Sequence, residues 1–395
     1  MTILKPSDIA ASSPVTRQEW NNLALSSENI YAFYQSPAWW EYSTKVTLKD
    51  YILRLHPGEN PVIAQVCDND GKLAGVSGVL VTDYVLHFKL KSRSLAHCNI
   101  PVAKLIGGPP LIGDDENLYV EFVKSILEAF PGCSAIHIPW VLTNSRSWKV
   151  LNTSEKLRRY AGVYVPDKDF AKHYSIVLNQ TFEEYLHKFN KKIRYNLKRD
   201  IKVLTDLCNG QLSLVRIERA QDVKMFLDGA FTVSSRSWQN TLEPQMDNSP
   251  EECERYERFA NQGVLRCYLL KCGETPCAFV RGFQFGDMFY YSRTGFDQDL
   301  SRFSPGRAVF YLMLEDLYAY RPPKRLNFQE GDYEHKRRFS TECVEKADVL
   351  LVRKNADIPS QLFLSAHKLL GWSISLAKRL LQKDTIVSEK ITTEQ

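Results

Sequence analysis

From Thr181 to Leu204 the chain reads TFEEYLHKFNKKIRYNLKRDIKVL. Its apolar residues, Phe182, Leu186, Phe189, Ile193, Leu197, Ile201 and Leu204, return every three or four positions. This spacing predicts one helix of about six turns with a single apolar stripe, opened by the capping-box pair Thr181 and Glu184. Two other stretches keep a different rhythm and resemble each other. In residues 60–81 a strand, an Asp70-Gly71 turn and a second strand are followed by an amphipathic helix over 114–130 and an apolar strand over 134–141. In residues 264–296 three strands joined at Gly273-Glu274 and Gly286-Asp287 are followed by a helix over 304–320 and a strand over 324–332. Turn dipeptides between apolar runs are the hairpin signal. The recurrence of meander, helix and strand predicts a duplicated α+β domain. Residues 359–384 read as a further amphipathic helix, with Leu, Phe and Trp on one side and Lys378, Arg379 and Lys383 near its end. Packing on a domain is the default for such a helix, and peripheral membrane contact the alternative.

A chain of 395 residues suggests two or three domains, and 44% hydrophobic with 25% charged residues is the composition of an ordinary soluble globular protein. Charge adds something periodicity does not. The net charge is +5, and Lys188–Lys202 carries seven bases and one acid, so its +6 accounts for the whole excess. A general nucleic-acid binder spreads its bases more widely, so DNA is not expected as a partner. No Glu lies between Lys188 and Arg199 to pair with the bases. The segment therefore reads as a surface for an anion, with a solvated helix face as the competing reading. The nine cysteines are scattered with no CxxC pair, which indicates neither a zinc nor a redox motif. Cys267, Cys272 and Cys277 read as small buried hydrophobes. Reduced cysteines and the lack of a signal peptide favour the cytoplasm, and no apolar run reaches the roughly 18–20 residues of a membrane span.

The two repeated helices start differently. Asp114, Asp115 and Glu116 open the first and complement the positive helix end themselves. Ser304, Pro305, Gly306 and Arg307 open the second: a good N-cap, a first-turn proline, a glycine that admits close approach, and a cation. That start predicts a pyrophosphate cradle in the second half only. After the next strand, NFQEGDYEHKRRF (327–339) gathers Glu330 and Asp332 as candidate general bases and Tyr333 and His335 as candidate proton carriers. A polar turn is the plainer reading of the same residues. Trp238, in SSRSWQ, is a core anchor or a pocket wall.

Together these segments resemble the FemAB-type ligases and the CelD-like acetyltransferases of the GNAT superfamily. The residues that carry the resemblance, in order, are NIYAFYQSPAWWEY (29–42), KKIRYNLKRDIKVL, SRSW, GFDQDLSRFSPGRAVFYLMLEDL and NFQEGDYEHKRRF. The resemblance implies two tandem GNAT-like domains, each a mostly antiparallel mixed sheet flanked by helices. They would be a degenerate one over 1–170 and a cofactor-binding one over 171–355, with a helical tail over 356–395. It implies transfer from acetyl-CoA or another acyl-CoA, without a metal. The acceptor it implies is an anionic amino-sugar, saccharide or lipid-linked envelope or exopolysaccharide precursor, and the tail could lie against the inner membrane. Ser304, Gly306 and Arg307 would hold the cofactor, and backbone N–H groups of 288–296 would polarise the thioester carbonyl. Lys191, Lys192, Arg194, Asn196, Trp238 and Lys336 would meet the acceptor, with Tyr195 packed at the helix edge. Asn327, Gln329 and His335 depart from the family's usual Asp, Gly and Tyr, while Gly331 and Lys336 are kept. The alternatives are an aminoacyl-tRNA-dependent ligase and a non-catalytic RNA- or membrane-surface binder; tRNA is the less expected partner, because no heptad-patterned helical hairpin follows Asp200.

Overall fold

A computed structural model describes residues 17–27, 29–44, 62–67, 72–90, 93–113, 115–166, 170–237, 244–329, 331–357, 359–369 and 373. The chain divides into two compact units. One comprises residues 1–40, 46–170 and 346–395, the other 41–45 and 171–345.

In the first unit α1 (Arg17–Ser26) and the start of α2 (Pro37–Thr44) precede a meander of β1 (Val62–Cys67), β2 (Leu73–Leu90) and β3 (Arg93–Ile112). Helix α3 (Glu116–Ala129) then crosses over to β4 (Ala135–Leu142), which pairs parallel to β3. Next come α4 (Arg146–Thr153) and β5 (Ala161–Tyr164). Helix α3 buries Tyr119, Val120, Phe122, Val123, Ile126 and Leu127 at three-to-four spacing against this sheet, as the sequence pattern requires. The pattern did not reveal β3. Pro101, Gly107, Gly108, Pro109 and Pro110 interrupt its alternation, and Gly107, at φ 79, sits where the β2–β3 register slips. A side chain at Gly107 would collide with the carbonyl of Tyr34, so only glycine fits.

The second unit is built on β6 (Ala171–Val177), α5 (Phe182–Leu186), α6 (Lys191–Leu207), β7 (Leu212–Ile217), α7 (Val223–Ser235), α8 (Pro250–Asn261), β8 (Cys267–Cys272), β9 (Thr275–Phe285), β10 (Met288–Phe296), α9 (Pro305–Ala319), β11 (Arg325–Asn327) and α10 (Glu334–Phe339). Its sheet runs β6-β11-β10-β9-β8-β7, antiparallel throughout except for β10 beside β11. Meander, crossover helix and parallel strand thus recur as β1–β4 with α3 and as β8–β11 with α9. Helices α6 and α9 share a core with Tyr268, Leu270, Ala278, Val280, Phe289 and Tyr291 on one face of the sheet. On the other face Phe226 of α7 and Phe259 of α8 pack on Phe279 and Phe283.

Strand β12 (Glu342–Arg353) ends the ordered pairing. Its residues from Lys346 onward pair with β4 and β5, so 346–353 belong with the first unit and not with the second half in which the sequence reading places them. Strand partnership is settled by backbone pairing across the sheet, which chain order does not show. The described part of the tail, 359–369, is helical, and its Leu364 joins Leu86, Ile100, Val102, Tyr164 and Leu350 in a small apolar cluster. Most of 370–384 lies outside the described residues. Among the described residues no helix is long and apolar enough to cross a membrane.

Two expectations are corrected. The predicted helix over 181–204 is two helices, α5 and α6. Asn190 stands between them in extended conformation, and its side chain accepts the Ile193 N–H at 2.9 Å as the N-cap of α6. Asparagine competes for backbone N–H groups and so favours caps over helix interiors. The break still leaves Leu186, Phe189, Leu197 and Leu204 in one core. The cysteines are not all reduced: Cys208, at the end of α6, is disulfide-bonded to Cys272, at the end of β8. The inference from reduced thiols to a reducing compartment therefore loses its ground. Cys267 and Cys277 are buried free thiols.

Candidate active site

Strands β10 and β11 pair only at Met288–Arg325, Phe289–Leu326 and Tyr290–Asn327. Beyond Tyr290, among the described residues, β10 runs on to Phe296 with a strand partner on its β9 side alone. On that edge 291–296 therefore has no strand partner among the described residues. On the β9 side the register slips between Tyr291 and Arg293, a β-bulge at Ser292. The opening is flanked by two non-glycine residues in left-handed conformation, Ser304 at φ 57 and Gln329 at φ 61. The family resemblance puts glycine at the second of these. Such strain costs about 1–3 kcal/mol per residue and concentrates at functional sites.

Ser304 occupies the position before α9, but its left-handed backbone leaves its side chain without a capping bond. Its hydroxyl instead accepts a hydrogen bond from Arg307 Nη2 at 2.9 Å. The sequence expectation of a Ser304 cap is therefore corrected. Pro305 has no N–H and the Arg307 N–H donates to the Ser304 carbonyl at 3.0 Å, so the donor that this start leaves for an anion is the Gly306 N–H. The equivalent helix of the first unit differs. Asp115 caps α3, accepting from the Asn117 N–H at 2.8 Å; Asp114 lies outside the described residues. Gly306 has a packing reason: a Cβ there would stand 2.9 Å from Phe296 Cδ1.

Arg307 reaches back to α6 and forms an ion pair with Asp200. Asp200 is the one acid of the basic segment and is buried, 7% exposed. The signal for this contact was present in the sequence, since Asp200 falls within the apolar stripe between Leu197 and Leu204. Asn196 precedes Asp200 by one turn on the same face. The other residues selected on α6 point elsewhere: Arg194 and Asn196 lie about 160° apart around the helix, so they do not line one surface. Arg194 is half-buried, its Nη1 donating to the Phe189 carbonyl at 3.1 Å, whereas Lys191 and Lys192 are exposed. Tyr195 does not pack at the helix edge; it is 65% exposed.

Past β11, Phe328 is fully buried and contacts Tyr291 and Phe310, with ring centroids 5.8 and 5.7 Å apart. Asp332 accepts from Tyr174 Oη at 2.7 Å and from Arg337 Nε at 2.5 Å. Those bonds, Arg337 first, hold its carboxyl down at about 2. A carboxylate so stabilised is a poor proton acceptor near neutral pH, so Asp332 reads as an anchor for this loop. Exposed Tyr333 stacks on His335 at 5.9 Å, and Lys336 Nζ lies 5.2 Å from the Tyr333 ring. His335 also meets the Phe328 ring edge-on at 6.4 Å. Glu330 and Trp238 lie outside the described residues. Among the described residues there is no cluster of three or more His, Cys, Asp or Glu able to hold a metal.

Desolvation, with the Lys336 charge adding to it, lowers the His335 imidazole toward about 4, although the residue is exposed over much of its surface and water offsets part of that shift. Its unfolded value is about 6.5. Between these values the unfolded chain binds more protons, so this contribution to stability is complete above about 6.5 and is lost as pH falls toward 4. His335→Gln should flatten the melting temperature against pH in that window. Superimposable wild-type and variant profiles would show that another group titrates there.

Residues 191–337 match the family model described as an acetyltransferase (GNAT) domain. No curated protein matches the chain. Among solved structures, FemX superposes with a TM-score of 0.58 at 12% identity, covering 86% of this chain and 96% of its own. The C-terminal domain of an Agrobacterium fabrum protein described as a lysylphosphatidylglycerol synthetase superposes with a TM-score of 0.51 at 10% identity, covering 92% of this chain and 96% of its own. At these identities the likeness is one of fold.

Proposed function

We propose that the domain matched over residues 191–337 by the acetyltransferase (GNAT) family model moves an acyl group from acyl-CoA to an amine or hydroxyl of an anionic acceptor, an amino-sugar or other saccharide precursor of the cell envelope. The observation that carries this reading is the opening between β10 and β11 beside an uncapped helix start. Backbone N–H groups on the edge of 291–296 that has no described strand partner would polarise a thioester carbonyl. The first turn of α9, with Arg307 and Asn196 nearby, receives the donor's pyrophosphate. The acceptor nitrogen or oxygen forms the new bond to the carbonyl carbon, the carbon–sulfur bond breaks, and the thiolate leaves. The acceptor's proton passes, through water, to the departing thiolate or to solvent; His335, lowered toward about 4, is too weak a base near neutral pH to be its acceptor, as Asp332 is.

The test is titration of coenzyme A into the full chain, with transfer of radiolabelled acetyl groups as the second readout. Arg307→Glu should weaken coenzyme A binding by about ten- to a hundredfold, since it removes a charge-assisted bond and adds repulsion. It also sets a second acid against Asp200, so Arg307→Gln is the milder companion. Unchanged affinity in both variants removes α9 from the donor site.

A second reading has its own observation. Tyr195 is exposed on the stripe of α6 that also carries Lys191, Lys192, Lys198, Arg199 and Lys202. Exposed aromatics among cations suit stacking on nucleic-acid bases, which fits charged tRNA as the acyl donor. Transfer from charged tRNA but not from acetyl-CoA, weakened by Tyr195→Ala, would favour it.

A further inference from the structure

On the face of the second unit's sheet that α7 and α8 cover, two arginines stand opposite each other. Arg281 of β9 and Arg293 of β10 are register partners, and directly opposed residues of an antiparallel pair project to the same side. The bulge brings Ser292 to that side as well: Arg281 Nε and Nη2 donate to Ser292 Oγ at 3.1 and 2.8 Å. Arg293 Nη2 donates to the Pro244 carbonyl. Both arginines are half-buried. The Arg281 charge acts on the Tyr42 and Tyr256 hydroxyls. Tyr42 Oη in turn donates to Glu252 at 3.0 Å, and Glu252 accepts from Arg255 at 2.7 Å. The α7–α8 side of the bulge therefore carries groups that bear or feel charge beside the aromatic contacts of Phe226 and Phe259.

Without the bulge the register would be one residue different, and Arg293 would project to the α9 face. The pair is thus a product of the same irregularity that marks the centre of the candidate site. Its place matters for chemistry. The β10 residues beside the pair are those whose other edge has no described strand partner, and an attacking atom must come within about 3–3.5 Å of a carbonyl held there. Acceptor groups beside that atom would meet Ser292, Arg281 and Arg293. We infer that Arg281 and Arg293, set side by side by the β-bulge at Ser292, bind the anionic group of the acceptor, a phosphate or a carboxylate, and fix its orientation. This rests on the acyltransferase reading above. It places acceptor recognition on the α7–α8 face, across the sheet from the basic helix α6.

The test uses the full chain with coenzyme A at saturation, so that the phosphate-binding start of α9 is filled. Inorganic phosphate and, separately, acetate are titrated into wild type, Arg281→Gln, Arg293→Gln and the double variant Lys191→Gln/Lys192→Gln. Each arginine variant is expected to weaken the preferred anion by about tenfold or more, with coenzyme A affinity unchanged and the lysine variant behaving as wild type. The tighter of the two anions in wild type identifies the acceptor's group as phosphate or carboxylate. If Arg281→Gln does not fold, Arg281→Lys and Arg293→Gln carry the same comparison. Anion affinity indifferent to both arginines, or no anion binding by wild type, overturns the inference. Failure of wild type to bind coenzyme A is a separate result and counts against the acyltransferase reading itself.

Discussion

Asp316→Ala is expected to destabilise the second unit by about 3–5 kcal/mol, the cost of leaving a buried charge without its partner. The partner is Arg266, whose side chain is fully buried, 0% exposed. Its guanidinium donates to Asp316 Oδ2 at 2.9 Å, to the Tyr320 and Arg321 carbonyls at 2.7 and 3.0 Å, and to Tyr268 Oη at 2.7 Å. The Tyr268 hydroxyl donates a hydrogen bond to the same carboxylate oxygen at 2.8 Å, and Arg216 holds the other oxygen at 2.5 Å. Removing the carboxylate leaves the fully buried Arg266 without a counter-charge and Tyr268 without its acceptor, whereas the part-exposed Arg216 keeps Glu218 at 3.2 Å. The network ties the end of α9 to β7, to β9 through Gln284, and to the Arg266–Tyr268 stretch that leads into β8. The variant should therefore lower the urea midpoint of the unit that carries the candidate site. Asp316→Asn, which keeps acceptor oxygen but not charge, should lose less. A loss below about 1 kcal/mol for the alanine variant would mean that Arg266 finds another partner or solvent.

Loss of the Cys208–Cys272 bond is the second large effect. The two cysteines are 64 residues apart in sequence. In the chain-entropy model, releasing a loop of that length destabilises by about 4 kcal/mol, with measured cases usually falling between about 2 and 4. Cys208 caps the end of α6, so the bond anchors the basic helix to the β8–β9 hairpin. Cys208→Ser should show this loss, and reductant should then have no further effect on its unfolding midpoint. A thiol titration of unfolded, unreduced wild type is the direct check: seven free thiols are expected from the free cysteines identified, and nine would rule the bond out.

Both effects arise from contacts between residues far apart in the chain, and that marks the limit of what was legible beforehand. Helix α9 was placed by its periodicity and by Pro305, within a residue of where it lies. The β8–β9–β10 meander was placed by its Gly-containing turns. The Thr181–Glu184 capping box forms as read, with Thr181 Oγ1 accepting from the Glu184 N–H at 3.2 Å. These are short-range signals, and short-range geometry satisfies them. The basic segment was equally plain as composition, yet its break at Asn190 and its pairing of Asp200 with Arg307 were not.

What the sequence by itself determined is the kind of unit and its repetition. Periodicity, caps and turns give strands joined by turns, then a helix and a strand, twice over, and the whole charge excess falls on the segment that contains α6; the third strand of the first repeat, β3, and the parallel pairing of β4 and β11 are not in that pattern. What only the tertiary structure decided is which side chains meet. Arg307 turned out to be spoken for by Asp200, and Asp332 by Arg337 and Tyr174. Arg281 and Arg293 became neighbours through a one-residue slip in register at Ser292. The physical reason is that a strand's side-chain period is two, so a single bulge reverses which face a residue serves. No local propensity records where that slip occurs.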